Sequence, residues 1–566
     1  MKHFQWHILP PAPLDLLADT GMPRLFIQLL YNRGVTDTAK LEPYLAADLR
    51  LSHDPLLLPD METAVIRIYR ALLAGEKIAV YGDYDVDGIT STALIVQGLK
   101  SLGGIVTPYI PHRLTEGYGL NNLALEQLKE DGVSLIITVD TGITAIAEVK
   151  GARKMGIDVI ITDHHTPLPE LPEALAIINP KRPGSTYPFL ELTGAGVAYK
   201  LTTALFHGIG KDNGELPKLV DLAALGTIAD IAPLTGENRY LVTEGLKQIN
   251  AEPRPGLRGL AEQAGLECAK LDTDNIAWQL APRLNAAGRL AHAMNGYQLL
   301  MTDSYDEARE LAVWLDEKNT ERQRLTVKVL TQARNEILGK GISPLLISGS
   351  SEYPAGITGL AASRLTEEFY RPVILISTGE TTSIGSCRSI PEFNVIKALT
   401  RCSHLLTRFG GHSQAAGFTL PTKNLPELGK ILSDIATTEL TGLELYPHLD
   451  IDAEVKLAEL GGNTYNLIQK IAPFGHANSV PTFMSRRVRV LDCRTMGKEE
   501  EHLRLRLRQD GQVWEAVAFR QGDFLPNLAP FIDIVYSLEV DHWRGENNLR
   551  LNILDFTESG RPEQKQ

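Results

Sequence analysis

Between residues 77 and 165, short apolar runs alternate with longer amphipathic ones, and each apolar run stops at a cluster of polar residues. The runs at 77–80, 105–110, 135–139 and 157–162 have the length of buried strands, while 89–102, 121–130 and 143–154 carry helical spacing. Strands separated by helices of this length predict βαβ units and a parallel sheet. Such a sheet gathers its strand carboxyl ends at one edge, where open α/β sheets place their sites. At those ends stand Asp83, Asp85 and Asp87, then Asp140, then Asp163-His164-His165. Strand alternation would carry the three aspartates of the first cluster on one side, with Gly88 releasing the backbone before a helix. Packed so closely, they repel one another unless the backbone turns or a cation neutralises them. A solvated Asp-Gly turn would use the same residues without any site.

The pattern changes further along. Residues 193–206 and 216–229 read as apolar helices, the second interrupted by Asp221 and followed by Asp230. A carboxylate in such a setting needs a partner, either a metal or a capping bond. Residues 302–340 contain no Pro and no Gly before Gly339, open on Asp303-Ser304 as a cap, and predict one helix of ~55 Å that connects domains. A second α/β pattern follows, with strands at 345–348 and 373–377 around a helix at 356–369. After it, GSCRS at 385–389 and FGGHSQAAGF at 409–418 read as Gly-rich turns. Such turns either capture a phosphate or pack tightly against a helix. Five alternating segments within 449–556 predict antiparallel strands of a small barrel. Two of them carry Arg487 and Arg489, then Arg504, Arg506 and Arg508, at period two, with Trp514, Phe519 and Trp543 nearby. A basic face with aromatics suits single-stranded nucleic acid, and a solvated face balanced by Glu499 to Glu501 is the alternative. Residues 1–75 read as an N-terminal accessory layer with no chemistry of their own.

Composition narrows the setting. With 566 residues the chain exceeds the ~250–300 that one core supports. The net charge of −13 argues against a polyanionic partner for the molecule as a whole, but a local basic groove decides phosphate binding. The four cysteines form no CxxC pair, which makes a reducing cytosol the default. No signal peptide is recognisable and no run reaches the ~18–20 apolar residues of a membrane span, so a soluble cytoplasmic protein is expected.

Collected at one edge, Asp83, Asp85, Asp87, Asp140, His164 and Asp221, with His165 beside them, make an oxygen-rich set with imidazole and no thiolate. That set suits Mn²⁺ or Mg²⁺ rather than structural zinc. It has ligands enough for two ions ~3.5–4 Å apart, and phosphodiester or phosphoanhydride hydrolysis is the leading chemistry.

GDYDVDG at 82–88, VDTGI at 139–143, TDHH at 162–165 and DLAALGTIAD at 221–230 resemble the four motifs of the DHH phosphoesterase superfamily. IPHRLTEGYGLN (110–121), APRLNAAGRL (281–290), FGGH (409–412) and APFG (472–475) are similar to its RecJ family of bacterial single-strand-specific exonucleases. The resemblance implies a parallel-sheet DHH domain (76–300), a connector helix (301–340), a smaller α/β DHH-associated domain (341–445) and an OB-fold barrel (446–560). It implies 5′→3′ removal of mononucleotides from single-stranded DNA with Mn²⁺ or Mg²⁺, by a monomer serving recombination and repair beside single-strand-binding protein and a helicase. Asp85, Asp140, His164 and Asp221 would hold metal, with Asp83 and Asp87 completing or supporting the site and His165 either against the scissile phosphate or behind the ligands. Arg113, Ser386 and Arg388 would grip phosphate, including the 5′ end, and Arg283, Arg289 and His412 are further candidates. The chain departs from the family at Tyr353-Pro354, at Cys387 and at Ala477; Cys387 replaces a usual Gly and predicts a differently shaped loop around Arg388. The alternatives are a DHH phosphodiesterase for short oligonucleotides or cyclic dinucleotides, and a catalytically silent DNA-binding scaffold.

Overall fold

The structure is a computed structural model that describes residues 4–113, 115–210, 214–541 and 548–560; Trp543 lies outside the described residues. Its first large sheet runs in the order Ile105–Tyr109, Lys77–Gly82, Val133–Val139, Asp158–Thr162, Ala176–Ile178, with every pairing parallel. Both faces are covered, as a parallel sheet requires. Ile78, Val80, Leu135 and Ile137 pack under the helices Met61–Ala74, Val86–Ser101 and Gly194–Gly208. Ala79, Tyr81, Ile136 and Ile161 pack under Asn122–Glu130 and Ile146–Lys154.

The first acidic cluster is assembled differently from the strand expectation. The strand ends at Gly82 and the helix already begins at Val86, so Asp85 is its N-cap, accepting from the Gly88 N–H at 3.0 Å, and Asp87 sits in the first turn. A strand-to-helix turn, rather than strand alternation, therefore gathers the carboxylates. Gly88 serves close approach, since a Cβ there would lie 2.5 Å from the Asp83 carbonyl oxygen.

The connector helix Tyr305–Lys340 has 36 residues, ~54 Å of axial rise, and is capped by the Ser304 hydroxyl. It buries Ala308, Ala312 and Leu315 in the core of the parallel-sheet domain and Val329, Ala333 and Ile337 against the second α/β domain. That domain's sheet runs Arg408–Gly411, Ala415–Pro421, Thr382–Arg388, Val373–Ser377, Leu346–Ser350, with only the last pair parallel. Residues 385–389 and 409–418 are thus mostly strand, not the Gly-rich turns the sequence predicts. Gly385 faces Phe418 across the ladder, and the Phe418 ring occupies the place of its missing side chain. Cys387 is buried in extended backbone opposite Ile374 and Ala416, so it replaces glycine there without bending a loop.

The C-terminal strands Phe483–Met496, His502–Gln509, Gln512–Ala518, Asn548–Glu558 and Phe531–Asp541 close into a barrel through pairing of the first with the last. The barrel is not wholly antiparallel as predicted, because Gln512–Ala518 pairs parallel to Asn548–Glu558. Alternation of side chains marks a strand but carries no information about its direction.

Residues 1–75, read from sequence as one layer, divide between two cores. Phe26, Ile27, Leu29 and Leu30 enter the barrel's core, and Gln5–Ile8 pairs in parallel with His448–Ile451. Leu58, Met61 and Ile68 belong to the core of the parallel-sheet domain. The two units are joined by Arg239, whose buried guanidinium donates to the carbonyls of Tyr44, Ile471 and Ala472 at 2.9, 2.8 and 2.7 Å and lies 4.3 Å from the Tyr44 ring centre. Ala477, in the loop that follows, has φ 58, left-handed backbone that glycine adopts without strain. Among the described residues, no helix is long and apolar enough to cross a membrane.

Candidate metal centre and nucleic-acid cleft

Three strand ends and one helix end converge on a buried acidic centre. Asp83, Asp87 and Asp140 are almost fully buried. Asp140 sits directly after Val133–Val139 in left-handed backbone, φ 59, which an aspartate tolerates better than most side chains. The amino end of Gly194–Gly208 supports Asp87 through the Gly194 and Ala195 N–H groups at 2.6 and 2.9 Å. His164 places Nε2 at 3.0 Å from Asp140 Oδ1, 3.8 Å from Asp87 Oδ2 and 4.0 Å from Asp230 Oδ2.

Two triads are near ligand geometry, Asp83–Asp85–Asp140 and Asp87–His164–Asp230, with a third, Asp140–His164–His165, overlapping both; within each the ligand atoms lie within 4.8 Å. Oδ1 of Asp83 and Oδ1 of Asp140 are buried without a hydrogen-bond partner among the described residues. His164 is close to the latter but off the line of a hydrogen bond. Buried carboxylate oxygens left unpaired are what a cation would satisfy. The donor set is oxygen with one or two imidazoles, so it fits Mn²⁺ or Mg²⁺.

The protonation pattern reports the same crowding. Burial, then Asp85, pushes Asp87 up to about 7. Asp83 and Asp140 are raised by burial and by neighbouring carboxylates, and so is Asp230. Burial, then His165, pushes His164 down to about 3, leaving the neutral imidazole that a metal ligand must be. His165 behaves oppositely: burial opposes its charge, but Asp163, 2.7 Å from Nδ1, lifts it to about 9.

These shifts set a stability prediction. Groups whose folded pKa is raised keep protons that the unfolded chain has already lost, so stability falls as pH rises from the unfolded value to the folded one. In chelator, thermal unfolding should move to lower temperature between about pH 4 and about pH 7, the window of Asp87, because Asp83, Asp140 and Asp230 act in the same sense and together outweigh the opposite slope of His164 below about pH 6.5. Mn²⁺ should raise the transition more at pH 7.5 than at pH 5, because it competes with those protons. A metal-free transition that climbs across the window would contradict this account of the cluster.

Asp221 does not join the centre, contrary to the sequence expectation. It forms a bidentate pair with Arg254, at 2.7 and 2.8 Å. Asp221 and Asp230 mark opposite ends of the helix Val220–Ala229, separated by ~13 Å of rise, and it is Asp230 that reaches Asp87 and His164. Asp163 is the group that sequence reasoning left without a role. Fully buried, it accepts from the backbone N–H of Ile143, His164 and His165 as well as bonding the His165 ring. Its place immediately before the His pair was the available signal.

A cationic wall stands beside the acidic centre. Arg113 lies over the Tyr84 ring at 4.7 Å, Arg289 donates to the Gly356 carbonyl at 3.2 Å, and Arg388 donates to Ser363 Oγ at 3.1 Å and the Cys387 carbonyl at 2.8 Å. None of the three forms an ion pair among the described residues. Burial first, then Arg113, Arg322 and Arg388, pushes Arg289 down to about 9. Ser386 Oγ lies 2.9 Å from Thr358 Oγ1 on the same wall. Arg283 is engaged elsewhere, pairing with Asp316 of the connector helix at 2.8 Å, so it tethers helices rather than standing free for phosphate. His412 sits exposed on the accessory hairpin, within electrostatic reach of His165, and Arg408 of that hairpin donates to the Tyr118 carbonyl at 3.2 Å, bridging the two domains.

On the barrel, Arg504, Arg506 and Arg508 are exposed while Leu503, Leu505 and Leu507 fill the core. Arg489 stands opposite Arg508, and Arg487, in a bulge with φ 54, is also exposed. Glu515 lies 3.4 and 3.3 Å from Arg504 and Arg506 and offsets part of this charge. Trp514 is half-buried and Phe519 exposed, packed edge-on to His502.

Comparison with known proteins agrees with this layout. Residues 77–227 match the DHH family N-terminal domain, 342–438 the DHHA1 domain and 451–555 the RecJ OB domain. The chain is 38% identical over 537 residues to the single-stranded-DNA-specific exonuclease RecJ of Bacillus subtilis, covering 94% of this chain and 67% of that protein. It is 35% identical over 565 residues to the protein of the same name from Escherichia coli, covering 95% and 96%. Among solved structures, RecJ in complex with Mn²⁺ from Thermus thermophilus superposes with a TM-score of 0.84 at 31% identity, covering 99% of this chain and 80% of that one. With catalytic, accessory and barrel domains all matched in order, the chain belongs to the RecJ family of DHH phosphoesterases.

Proposed function

We infer that the chain is a metal-dependent exonuclease specific for single-stranded DNA, and we propose that it works 5′→3′, releasing 5′ mononucleotides in DNA recombination and repair. The observation that carries this reading is the juxtaposition of a buried, under-neutralised acidic centre with a wall of arginines that have no ion partners among the described residues. Asp83, Asp85 and Asp140 would hold one ion and Asp87, His164 and Asp230 a second. Bound there, Mn²⁺ or Mg²⁺ supplies the activated water and the stabilisation of the leaving oxygen.

The chain's own residues do the rest. Asp163 fixes the His165 ring and keeps it charged, so that its other nitrogen donates to an oxygen of the scissile phosphate. Hydrolysis forms one bond from water oxygen to phosphorus and breaks the bond to the 3′ oxygen. The shortened strand then carries a new 5′ phosphate, the group that Arg113, Ser386 and Arg388 are placed to bind, with Arg289 adding positive potential. Arg487, Arg489, Arg504, Arg506 and Arg508 would carry the trailing strand through backbone charge. On the family resemblance we also place the enzyme in the cytoplasm as a monomer, acting beside single-strand-binding protein and a helicase.

The test uses single strands and duplexes labelled at either end, incubated with Mn²⁺ or Mg²⁺ and sized. Mononucleotide released first from the 5′ label supports the reading; internal cleavage or first loss of a 3′ label overturns it. Arg388→Ala should cut the preference for a 5′-phosphorylated over a 5′-hydroxyl end by about tenfold, the worth of one charged hydrogen bond to phosphate. Competition between the two substrates measures it, and equal loss on both would assign Arg388 to structure alone.

A further inference from the structure

The outermost strand end of the catalytic sheet carries groups that no metal ligand set uses. After Ala176–Ile178 comes Asn179, fully buried, whose amide donates to the His165 carbonyl at 3.0 Å and accepts from the Lys181 N–H at 2.7 Å. One side chain thereby ties the backbone of Lys181 to that of His165. Arg182 next to it turns away, pairing with Asp60 and the Ile177 carbonyl. The Lys181 ammonium has as its nearest carboxylate Glu191, 4.0 Å away and half exposed, a contact of little strength. Its charge bears instead on His164 and Asp230 in the centre and on His412 across the cleft.

Sheet order gives this position meaning. From one edge to the other, the strand ends carry Arg113, then Asp83 to Asp87, then Asp140, then Asp163 to His165, then Lys181. Three acidic ends are flanked by a cation on each side. Strands lie ~4.8 Å apart, so Lys181 starts about 10 Å from the Asp140 strand, on the side opposite Arg113. A strand whose 5′ phosphate lies toward Arg113 and whose scissile phosphate lies over Asp140 would bring its next phosphate to this far edge.

We propose that Lys181 is a substrate-binding residue that contacts the phosphate one step 3′ of the scissile linkage and so fixes the strand in register over the metal centre. The inference rests on the nuclease reading above. Lysine suits the role as a compact point charge with a flexible stem.

A cycle of two proteins and two substrates tests it. Single-turnover release of the first nucleotide is measured for the full-length protein and for Lys181→Gln, on a normal single strand and on one with a neutral methylphosphonate at the linkage after the scissile one. Each change alone should slow release by about tenfold, and together they should slow it no further, because both remove the same contact. Lys181→Arg should recover most of the rate on the normal strand. Losses that multiply, or a Lys181→Gln rate equal to wild type, would overturn the assignment while leaving the nuclease intact. A wild-type protein that spares single strands would remove both readings together.

Discussion

Replacing Asp140 with alanine will lower the rate of single-strand hydrolysis by about 10³-fold or more, while single-strand affinity measured in chelator stays within about threefold. Asp140 belongs to two of the three ligand triads, and one of its oxygens is buried without a hydrogen-bond partner among the described residues. It shares one triad with Asp83 and Asp85 and another with His164 and His165, so it stands between the two candidate ion positions. Alanine in the left-handed backbone at this position, φ 59, is itself strained by about 1 kcal/mol. Asp140→Asn therefore accompanies it, since asparagine tolerates that conformation and keeps the shape of the side chain. Equal loss in both variants, with binding kept, assigns the effect to the lost charge. Full activity in either would remove Asp140 from the metal centre. Asp140→Asn should also raise the melting temperature of the metal-free protein, because it removes one of the repelling carboxylates without that strain.

Arg239→Ala should have the largest effect on stability, about 3–5 kcal/mol. The guanidinium is buried between the catalytic domain and the barrel unit, and three carbonyls from two segments of the chain lose their donor at once. Water reaches the vacated place poorly, so those carbonyls stay unsatisfied. Arg239→Lys restores charge but not the planar fork, and should recover only part of the loss. Calorimetry should show the single transition dividing, with the barrel unit released at lower temperature than the catalytic core. A shift of under about 1 kcal/mol with one transition would mean that the seam is held by its apolar contacts instead.

The sequence made the catalytic edge legible because two periods, strand and helix, alternate there without interruption. That alternation alone brings Asp83, Asp85, Asp87, Asp140 and the His pair to one side of a sheet. It does not say how the first three meet, and the turn with Asp85 as helix cap is invisible to a reading that extends the strand. Asp221 and Asp230 show a second limit. An apolar helix with an aspartate at each end has no phase that reveals which end faces the sheet, and only packing places Arg254 beside the first. The glycines at 385, 410 and 411 resemble turn residues by composition, yet at Gly385 the missing side chain makes room for Phe418 within a ladder. The barrel's cationic face was readable because Leu and Arg alternate strictly at 503–508. Its strand directions were not, since direction depends on connections rather than on residues.

The apolar helix Arg24–Asn32 and the short strand before it find most of their core in the last domain: Asn32 bonds Asp452, 420 residues later. On a translating ribosome that interval lasts about 20–80 s at ~5–20 residues per second. For that time Phe26, Leu29 and Leu30 have no core to enter, while the catalytic domain can already fold. The nascent protein thus carries an uncovered apolar helix through most of the synthesis of these domains, which makes it a candidate client for chaperones that hold emerging chains. Yield of full-length protein should therefore depend on such holding more than the stability of the finished molecule would suggest.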